Sequence, residues 1–192
     1  MVLLLESAKK LDMIIVTHEL GHWVLRLQGL KVIVNKNDTD IYSKSSYSEL
    51  SSLCSHPALY RLQRSLGHDP QKVIDKRAAH DMAFLLRKVE ANNEKTNIGD
   101  ALYYADDLIN CSRSYRLGLE PRLNSKLLKT AKIAQEILEI KGRRDLSRIE
   151  EVLPFSKEIV QKLNLPGNWI ELDELEQLKK TRAETQLKYN SG

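Results

Sequence analysis

The sequence predicts a mainly helical α+β protein with a minimal sheet of one or two short strands and a helical C-terminal half. Apolar residues recur at spacings of three and four along most of the chain, which is typical of helices. The best strand candidate is one β-branched run, residues 32–34, ended by Asn and Asp turn formers. With 192 residues and 42% hydrophobic content, the chain suits one domain, or one domain with a helical appendage.

Start or stop signals in the sequence mark several of the predicted helices. The first is apolar nearly all round, so we expect it at the centre of the domain, and Gly29 suits its C-terminal end. A break is predicted at His56-Pro57, because proline disfavours helix in the residue before it. Asp69 and Pro70 predict the next helix start. The predicted helices span residues 7–28, 49–55, 58–66, 71–91, 100–111, 122–141, 146–163 and 171–186.

The first helix contains the sequence His-Glu-Leu-Gly-His, residues 18–22. His18 and His22 lie one turn apart on one face, so both imidazoles can bind one zinc ion, unless they are core histidines held by polar partners. Glu19 is offset by about 100° and can contact a water on the metal. A metal lowers the pKa of such a water, and Glu19 as general base takes its proton for attack on a carbonyl.

The stretch VTHELGHWVL, residues 16–25, resembles the active-site helix of the zincin metallopeptidases. Among these it is most similar to the ImmA/IrrE family of bacterial metallopeptidases, and the helix–strand–acidic helix layout extends the likeness weakly to about residue 86. The resemblance implies a zincin-like central active-site helix, a zinc cofactor and a peptide or protein substrate. It divides the chain into a zincin-like metal-binding region, residues 1–95, and a helical region packing on it, residues 96–192, with a solvated C-terminal helix.

A catalytic zinc usually has three protein ligands, so a further residue must complete the site. Glu49, beyond one strand and a loop, is the preferred third ligand, in the order that the resemblance implies for a glutamate-ligand zincin. Its alternative role is to complement the dipole of its helix. His56 is the second choice, or else caps a helix end, and a later helix offers Asp75 and His80 on one face. His68, in a turn, is most simply a surface residue.

Two supporting roles also need side chains. A tyrosine can donate to a developing oxyanion, unless it is an amphipathic residue at the core edge. A carboxylate should support the free ring nitrogen of each ligand. The candidates for these two roles are Tyr42, Tyr47, Tyr103 and Tyr104, and Asp106 and Asp107.

Zincins ordinarily place a sheet before the active-site helix, and its edge strand binds the substrate. Here a short segment, MVLLLESAKKL, precedes the core of the helix. Either the chain is an N-terminally truncated piece or its cleft is built differently, so two other classes stay open. One is a noncatalytic zinc-stabilised helical module for protein interaction or regulation. The other is a helical DNA-binding module whose densest cationic patch is KGRRDLSR.

Composition limits the location and partners. The net charge of +4 is spread among carboxylates, so nucleic acid is not an expected partner. The longest apolar runs, residues 2–5 and 13–16, are too short to span a membrane. Two cysteines without CxxC spacing, and no signal-peptide pattern, indicate a cytoplasmic protein. The oligomeric state is left open.

Overall fold

The computed structural model describes residues 12–35, 46–92, 98–165, 168–173, 176–177 and 180. These residues are mainly helical and include one two-stranded antiparallel sheet, which confirms the predicted mainly-α fold with one or two short strands. The elements are α1 (Met13–Leu27), β1 (Ile33–Asn35), α2 (Ser46–Ser65), α3 (Gln71–Asn92), α4 (Ile98–Asn110), α5 (Arg113–Lys126), α6 (Leu128–Lys141), α7 (Ile149–Lys162) and β2 (Trp169–Glu171).

Helix α1 has a defined cap at each end. The Asp12 side chain accepts a hydrogen bond of 2.9 Å from the Ile14 N–H, so the helix begins at Met13. Gly29, with φ of 94°, follows the last turn as expected. Residues 7–11 of the predicted helix lie outside the described part of the chain.

The prediction that α1 lies at the centre of the domain is wrong for the residues that the structure describes. One face of α1 packs against α2, and its buried residues are Gly21 and Leu25. Several large apolar side chains of α1 are exposed: Met13, Ile15, Leu20, Trp23, Val24 and Leu27. An apolar composition therefore did not by itself place this helix in the core, because α2 and α4 occupy that position.

Helix α2 runs without interruption through Pro57, so the break predicted at His56-Pro57 is wrong. A proline inside a helix costs about 3 kcal/mol, since it removes one backbone hydrogen bond and crowds the preceding turn. Leu53 and Leu59, on either side of Pro57, are 0% exposed. Each buried leucine contributes about 1.5–3 kcal/mol. Burial on both sides of the proline thus outweighs its local cost.

The core is built around α2 and α4. Helix α2 packs against α1, α4, α7 and β1, and α4 packs also against α3 and α6. One hydrophobic cluster joins Leu53 and Leu59 to Leu102, Ile137 and Phe155. These residues come from both of the expected regions, 1–95 and 96–192, whose boundary stays a prediction. Within the described ranges, no helix is both long and apolar enough to cross a bilayer.

The C-terminal half departs from the predicted boundaries in several places. The expected helix 122–141 is two helices, α5 and α6, on either side of the buried Leu127, and α5 begins at Arg113, in a stretch expected between helices. Strand β2 was not predicted, and Glu171 lies in it rather than at a helix start. Helical residues follow at 172–173, 176–177 and 180, and the rest of that predicted helix lies outside the described residues.

Strand β2 is stabilised by its pairing with β1 rather than indicated by a pattern in its own sequence. It pairs antiparallel with β1, with Val34 opposite Ile170. The Glu171 carboxylate also forms ion pairs with Lys31 and Lys157, at 3.1 Å and 3.2 Å. A three-residue strand carries too little periodicity to be found without its partner.

We expect Gly21→Ala to lower the free energy of unfolding by about 1 kcal/mol. A Cβ at Gly21 would overlap the buried Leu59 side chain, and this overpacking, about 1–3 kcal/mol, exceeds the gain of about 0.5–1 kcal/mol from helix propensity. Urea denaturation measures the change. The matched control is Gly118→Ala on α5, where nothing lies within 4 Å of the added Cβ. The control should be neutral or stabilising, and equal gains from both substitutions would contradict close packing at Gly21.

Candidate metal centre

Three histidines from two helices converge at one point. His18 and His22 come from α1 and His56 comes from α2, and one ring nitrogen of each lies within 4.8 Å of the others. The centroid of the His18 ring lies 5.0 Å from the centroid of the His22 ring and 5.3 Å from that of the His56 ring. Among the described residues, this is the one group of His, Cys, Asp and Glu side chains close enough to hold a metal ion.

Close packing of α1 on α2 brings the histidines together. Gly21 presents no side chain to α2, and the space that a Cβ would need is filled by Leu59, with Leu62 also in contact distance. The sequence places His18 and His22 on either side of Gly21, and His56 lies about one turn before Leu59 on α2. The same contact that joins the two helices therefore aims the three imidazoles at a common space.

Asp106 on α4 holds the His56 ring through a buried hydrogen bond. Its Oδ2 lies 2.9 Å from His56 Nδ1, and both side chains are buried. An ionised carboxylate can only accept, so Nδ1–H donates, and Nε2 is the ring nitrogen left for a metal. Burial opposes ionisation of Asp106, but His56 and then Arg77 outweigh burial and lower its pKa. The structure thus places Asp106, one of the two expected carboxylates, against His56.

Burial also favours the neutral form of His18 and His22, which is the form that binds a metal. Burial is the largest cause that lowers the pKa of each from 6.5 to about 4, followed by the nearby His56. Both imidazoles are therefore neutral at pH 7 and keep a lone pair. Asp107, the other expected carboxylate, differs: burial, and then Asp106, raises its pKa to about 8, and it pairs with Arg77.

The donor set fits a transition metal. Three imidazoles suit zinc, copper, iron or nickel, whereas calcium and magnesium prefer oxygen ligands. A tetrahedral ion with bonds of about 2.0–2.1 Å brings its nitrogen ligands to about 3.3 Å from one another. The separations within 4.8 Å would therefore have to shorten by up to about 1.5 Å for the three nitrogens to bind one ion. This group of histidines, His56 buried and His18 and His22 partly buried, could hold a metal ion.

The structure places the second choice, His56, rather than the preferred Glu49 beside His18 and His22. Both residues lie on α2, seven positions apart and so on one face, but that separation is two turns, about 10 Å along the axis. The prediction assumed that α2 ends at His56, where the ring would cap a helix. Because the helix continues, His56 is an interior residue that faces α1.

The other candidates lie elsewhere. The Asp75 carboxylate on α3 accepts from the Ser112 N–H at 2.7 Å and from Gln71 at 3.0 Å, which ties α3 to the end of α4. His80 is exposed, with its Nδ1 3.2 Å from Asp81. His68 lies partly buried in the turn before α3. Neither Asp75 nor His80 joins the three histidines.

Glu19 opens onto a cavity beside the histidines. The cavity, of about 200 Å³, lies where α1, α2 and α3 meet. His18 and Glu19 line it from α1, Tyr60 and Gln63 from α2, and Arg77 from α3. The general base expected from the motif therefore shares one space with an expected ligand, and Glu19 itself is exposed.

Tyr60 and Arg77 were not predicted to belong to the site. The Tyr60 ring stacks on His56, with centroids 5.2 Å apart, and lies 5.9 Å from the His18 ring. Arg77 donates to the Tyr60 hydroxyl at 3.1 Å and to Asp106 at 2.9 Å. The spacing of four between His56 and Tyr60 would have indicated a shared face had α2 been predicted as one helix.

The tyrosines that were proposed as oxyanion donors do not line this cavity where the structure describes them. Tyr104 is 1% exposed and packs in the core, and Tyr103 is partly exposed on α4. Tyr42 and the side chain of Tyr47 lie outside the described residues.

Comparisons with known proteins add no assignment: no family model, no curated protein and no solved structure matches this chain.

We expect His56→Ala to remove metal binding as completely as His18→Ala or His22→Ala. Loss of a ligand should cost more than the roughly 10–100-fold that loss of a ligand's supporting partner costs. Metal analysis and calorimetric titration with zinc measure the affinity. Glu49→Gln and the exposed His80→Ala serve as controls that keep wild-type affinity. Tight binding by His56→Ala together with loss in Glu49→Gln would reverse the assignment of the third ligand.

We expect the metal-free protein to lose stability as the pH falls from about 6.5 to about 4. His18 and His22 have a pKa of about 4 when folded, against 6.5 for an ordinary histidine, so in this interval the unfolded chain binds more protons. Below about pH 4 these two groups cause no further loss. Melting temperatures in a chelator measure the effect. A His18→Gln/His22→Gln variant should show a flatter dependence, and equal slopes would contradict the lowered pKa values.

Proposed function

We propose that this chain is a zinc-dependent hydrolase that cleaves peptide bonds. His18, His22 and His56 would hold the zinc ion, and Glu19 would act as general base. The observation that carries this proposal is the shared lining: a ligand histidine and the glutamate of the motif open onto one cavity. The resemblance of VTHELGHWVL to the zincin active-site helix supports peptide bonds as the substrate and zinc as the metal.

Three histidine ligands suit a catalytic zinc site better than a structural one. Structural zinc sites usually have four protein ligands, whereas catalytic sites have three and keep one position open. Here the group has three members among the described residues. When bound, zinc supplies a Lewis acid that lowers the pKa of a water and polarises a carbonyl.

The residues of the chain supply the proton transfers. Glu19 takes a proton from the attacking water and passes it to the departing amine, so that a peptide and one water become a carboxylic acid and an amine. The Tyr60 hydroxyl accepts from Arg77, which leaves its own proton free to donate to the oxyanion of the substrate carbonyl. Burial raises the pKa of Tyr60, so this donor keeps its proton at neutral pH.

The two thiols support a cytoplasmic location for the proposed activity. Cys54 and Cys111 are both free, and free thiols are typical of a reducing cytoplasm. We therefore place the activity there.

A second candidate function is a noncatalytic interaction module in which the metal only stabilises the fold. The observation that favours it is the small buried area of α1, whose apolar residues are largely exposed in the described part of the structure. A metal that bridges α1 and α2 would then fix the helix in place and leave its apolar face for a protein partner.

We expect Glu19→Gln to lower kcat for peptide cleavage about 10²–10⁴-fold, the usual contribution of a general base, while zinc binding is kept. Glutamine keeps the size of the side chain but cannot take a proton. Quenched fluorescent peptides measure cleavage by the zinc-loaded protein, and metal analysis measures zinc. Glu139→Gln, an exposed change on α6, is the matched control and should leave cleavage unchanged.

The two candidate functions give different outcomes in the same assay. A hydrolase loses cleavage on chelation and regains it with zinc. A noncatalytic module melts at a lower temperature on chelation but cleaves no peptide with or without zinc, a result that would reject the proposed activity.

A further inference from the structure

One side of α1 is apolar and faces away from α2. His18, Gly21 and His22 lie on the side that packs against α2. At about 100° per residue, a second group of α1 residues lies on the opposite side. Its members are apolar and mostly exposed: Met13 (51% exposed), Leu20 (40%), Trp23 (50%) and Leu27 (88%), with Val16 partly buried. We name these five residues the outer stripe.

The outer stripe has the spacing of a helix that pairs with another helix. Met13, Leu20 and Leu27 recur every seven residues. Val16 and Trp23 lie three residues after the first two of these. This alternation of three and four residues is the heptad pattern, in which positions a and d form one apolar seam against a second helix. Within the described ranges, the helix that packs closely on α1 is α2, on the other side, so the outer stripe has no partner helix there.

The exposed apolar surface around the outer stripe is large. Val24, 38% exposed, lies beside the outer stripe and extends it. From their exposed fractions, the six side chains contribute on the order of 500 Å² per copy, near the upper end of the roughly 300–600 Å² that the largest apolar patch of a monomer covers. Two such surfaces would bury about 1,000 Å², which is the lower limit for a specific interface.

A second copy of the chain presents a matching surface. When two outer stripes pair antiparallel, each a position meets a d position, so Leu20 lies opposite Trp23 of the second copy. The next layer sets Val16 opposite Leu27 of the second copy. Each layer combines a larger with a smaller side chain, whereas a parallel pair would crowd Trp23 against Trp23. The antiparallel order also sets the N-terminus of one helix beside the C-terminus of the other, which their dipoles favour.

The metal centre and its cavity are not part of this surface. Ile15 and His18, which line the cavity, are turned by about 120° and 180° from the centre of the outer stripe. The residues of α1 that are buried within one chain are Gly21 and Leu25. Pairing would therefore support α1, which carries two of the three histidines, from a second side.

We propose that the protein forms a homodimer with two-fold symmetry, in which the outer stripes of two copies pair antiparallel. The partner is a second copy of this chain, and both copies bury the same residues. The proposal does not depend on the proposed activity, since no residue of the outer stripe belongs to the group of histidines or lines the cavity.

The first experiment measures the mass of the protein in solution. Sedimentation velocity is recorded from about 1 to about 200 μM, since an interface of this size is expected to dissociate at micromolar concentration. The mass should rise from one chain, 22.0 kDa, to two chains, in zinc and in a chelator alike. A single chain at every concentration overturns the proposal, and it is the result expected if another segment or another protein covers the outer stripe. Association in zinc alone also overturns it, because metal bridging then joins the copies.

Substitutions then test whether the outer stripe forms the interface. Leu20→Lys should weaken dimerisation at least about 30-fold, since it sets charges in the centre of the apolar seam. The matched control is Ile15→Lys, at a 58% exposed position of the same helix outside the outer stripe, and it should leave the dimer unchanged. Leu27→Lys, at an 88% exposed position, should also weaken the dimer, and it decides the matter if circular dichroism shows that Leu20→Lys unfolds. Unchanged dimers in the two stripe variants, or an equal loss in Ile15→Lys, overturn the interface.

Disulfide crosslinking tests the direction of pairing. In a Cys111→Ser background, which removes the partly exposed thiol, Leu20→Cys and Trp23→Cys chains are mixed under mild oxidation. The antiparallel layer predicts that the mixture gives more crosslinked dimer than either variant alone. Strongest crosslinking of Leu20→Cys with itself indicates parallel pairing and overturns the proposed arrangement. Ile15→Cys mixed with Trp23→Cys is the control and should give no crosslink.

Discussion

The contact between α1 and α2 at Gly21 is the constraint on which the site depends. Because Gly21 has no side chain, Leu59 packs directly against the backbone of α1. The histidines on either side of Gly21 are thereby brought to His56, about one turn from Leu59. A larger residue at position 21 would have to displace the Leu59 side chain, which occupies the place of its Cβ between the helices. One packing contact therefore sets both the helix interface and the geometry of the candidate metal centre.

The contact between α1 and α2 also sets the electrostatics of the histidines. Burial between the helices keeps His18 neutral at pH 7, whereas a buried carboxylate such as Asp106 needs positive or donating partners to stay ionised. His56 and Arg77 provide them, and Arg77 also bonds Tyr60. Side chains from α2, α3 and α4 thus form one network behind the histidines. That network holds the His56 ring through its Nδ1 and the Tyr60 hydroxyl through Arg77, and the proposed hydrolysis would use both groups.

The local sequence pattern predicted much of the fold, and its errors lie mainly at a proline and at a short strand. The rule that proline ends a helix was applied at Pro57, and it divided α2 into two predicted helices. One face of the continuous helix therefore went unrecognised, and this face includes Glu49, His56, Tyr60 and Gln63. The rule failed because packing on both sides of Pro57 outweighs its local cost. The preferred third ligand, Glu49, lies on the same face of α2 as His56 but two turns away, and Tyr60 was not among the expected residues.

The sequence by itself determined the mainly helical fold class and the arrangement of His18, Glu19 and His22, because a helix of 3.6 residues per turn fixes which of its own side chains share a face. Only the tertiary structure decided the histidine that joins His18 and His22, the carboxylate behind it and the tyrosine beside it. It also decided that α1 lies against one side of α2 rather than at the centre. These features join residues far apart in the chain, and their meeting depends on how closely two helices approach, which local spacing does not encode.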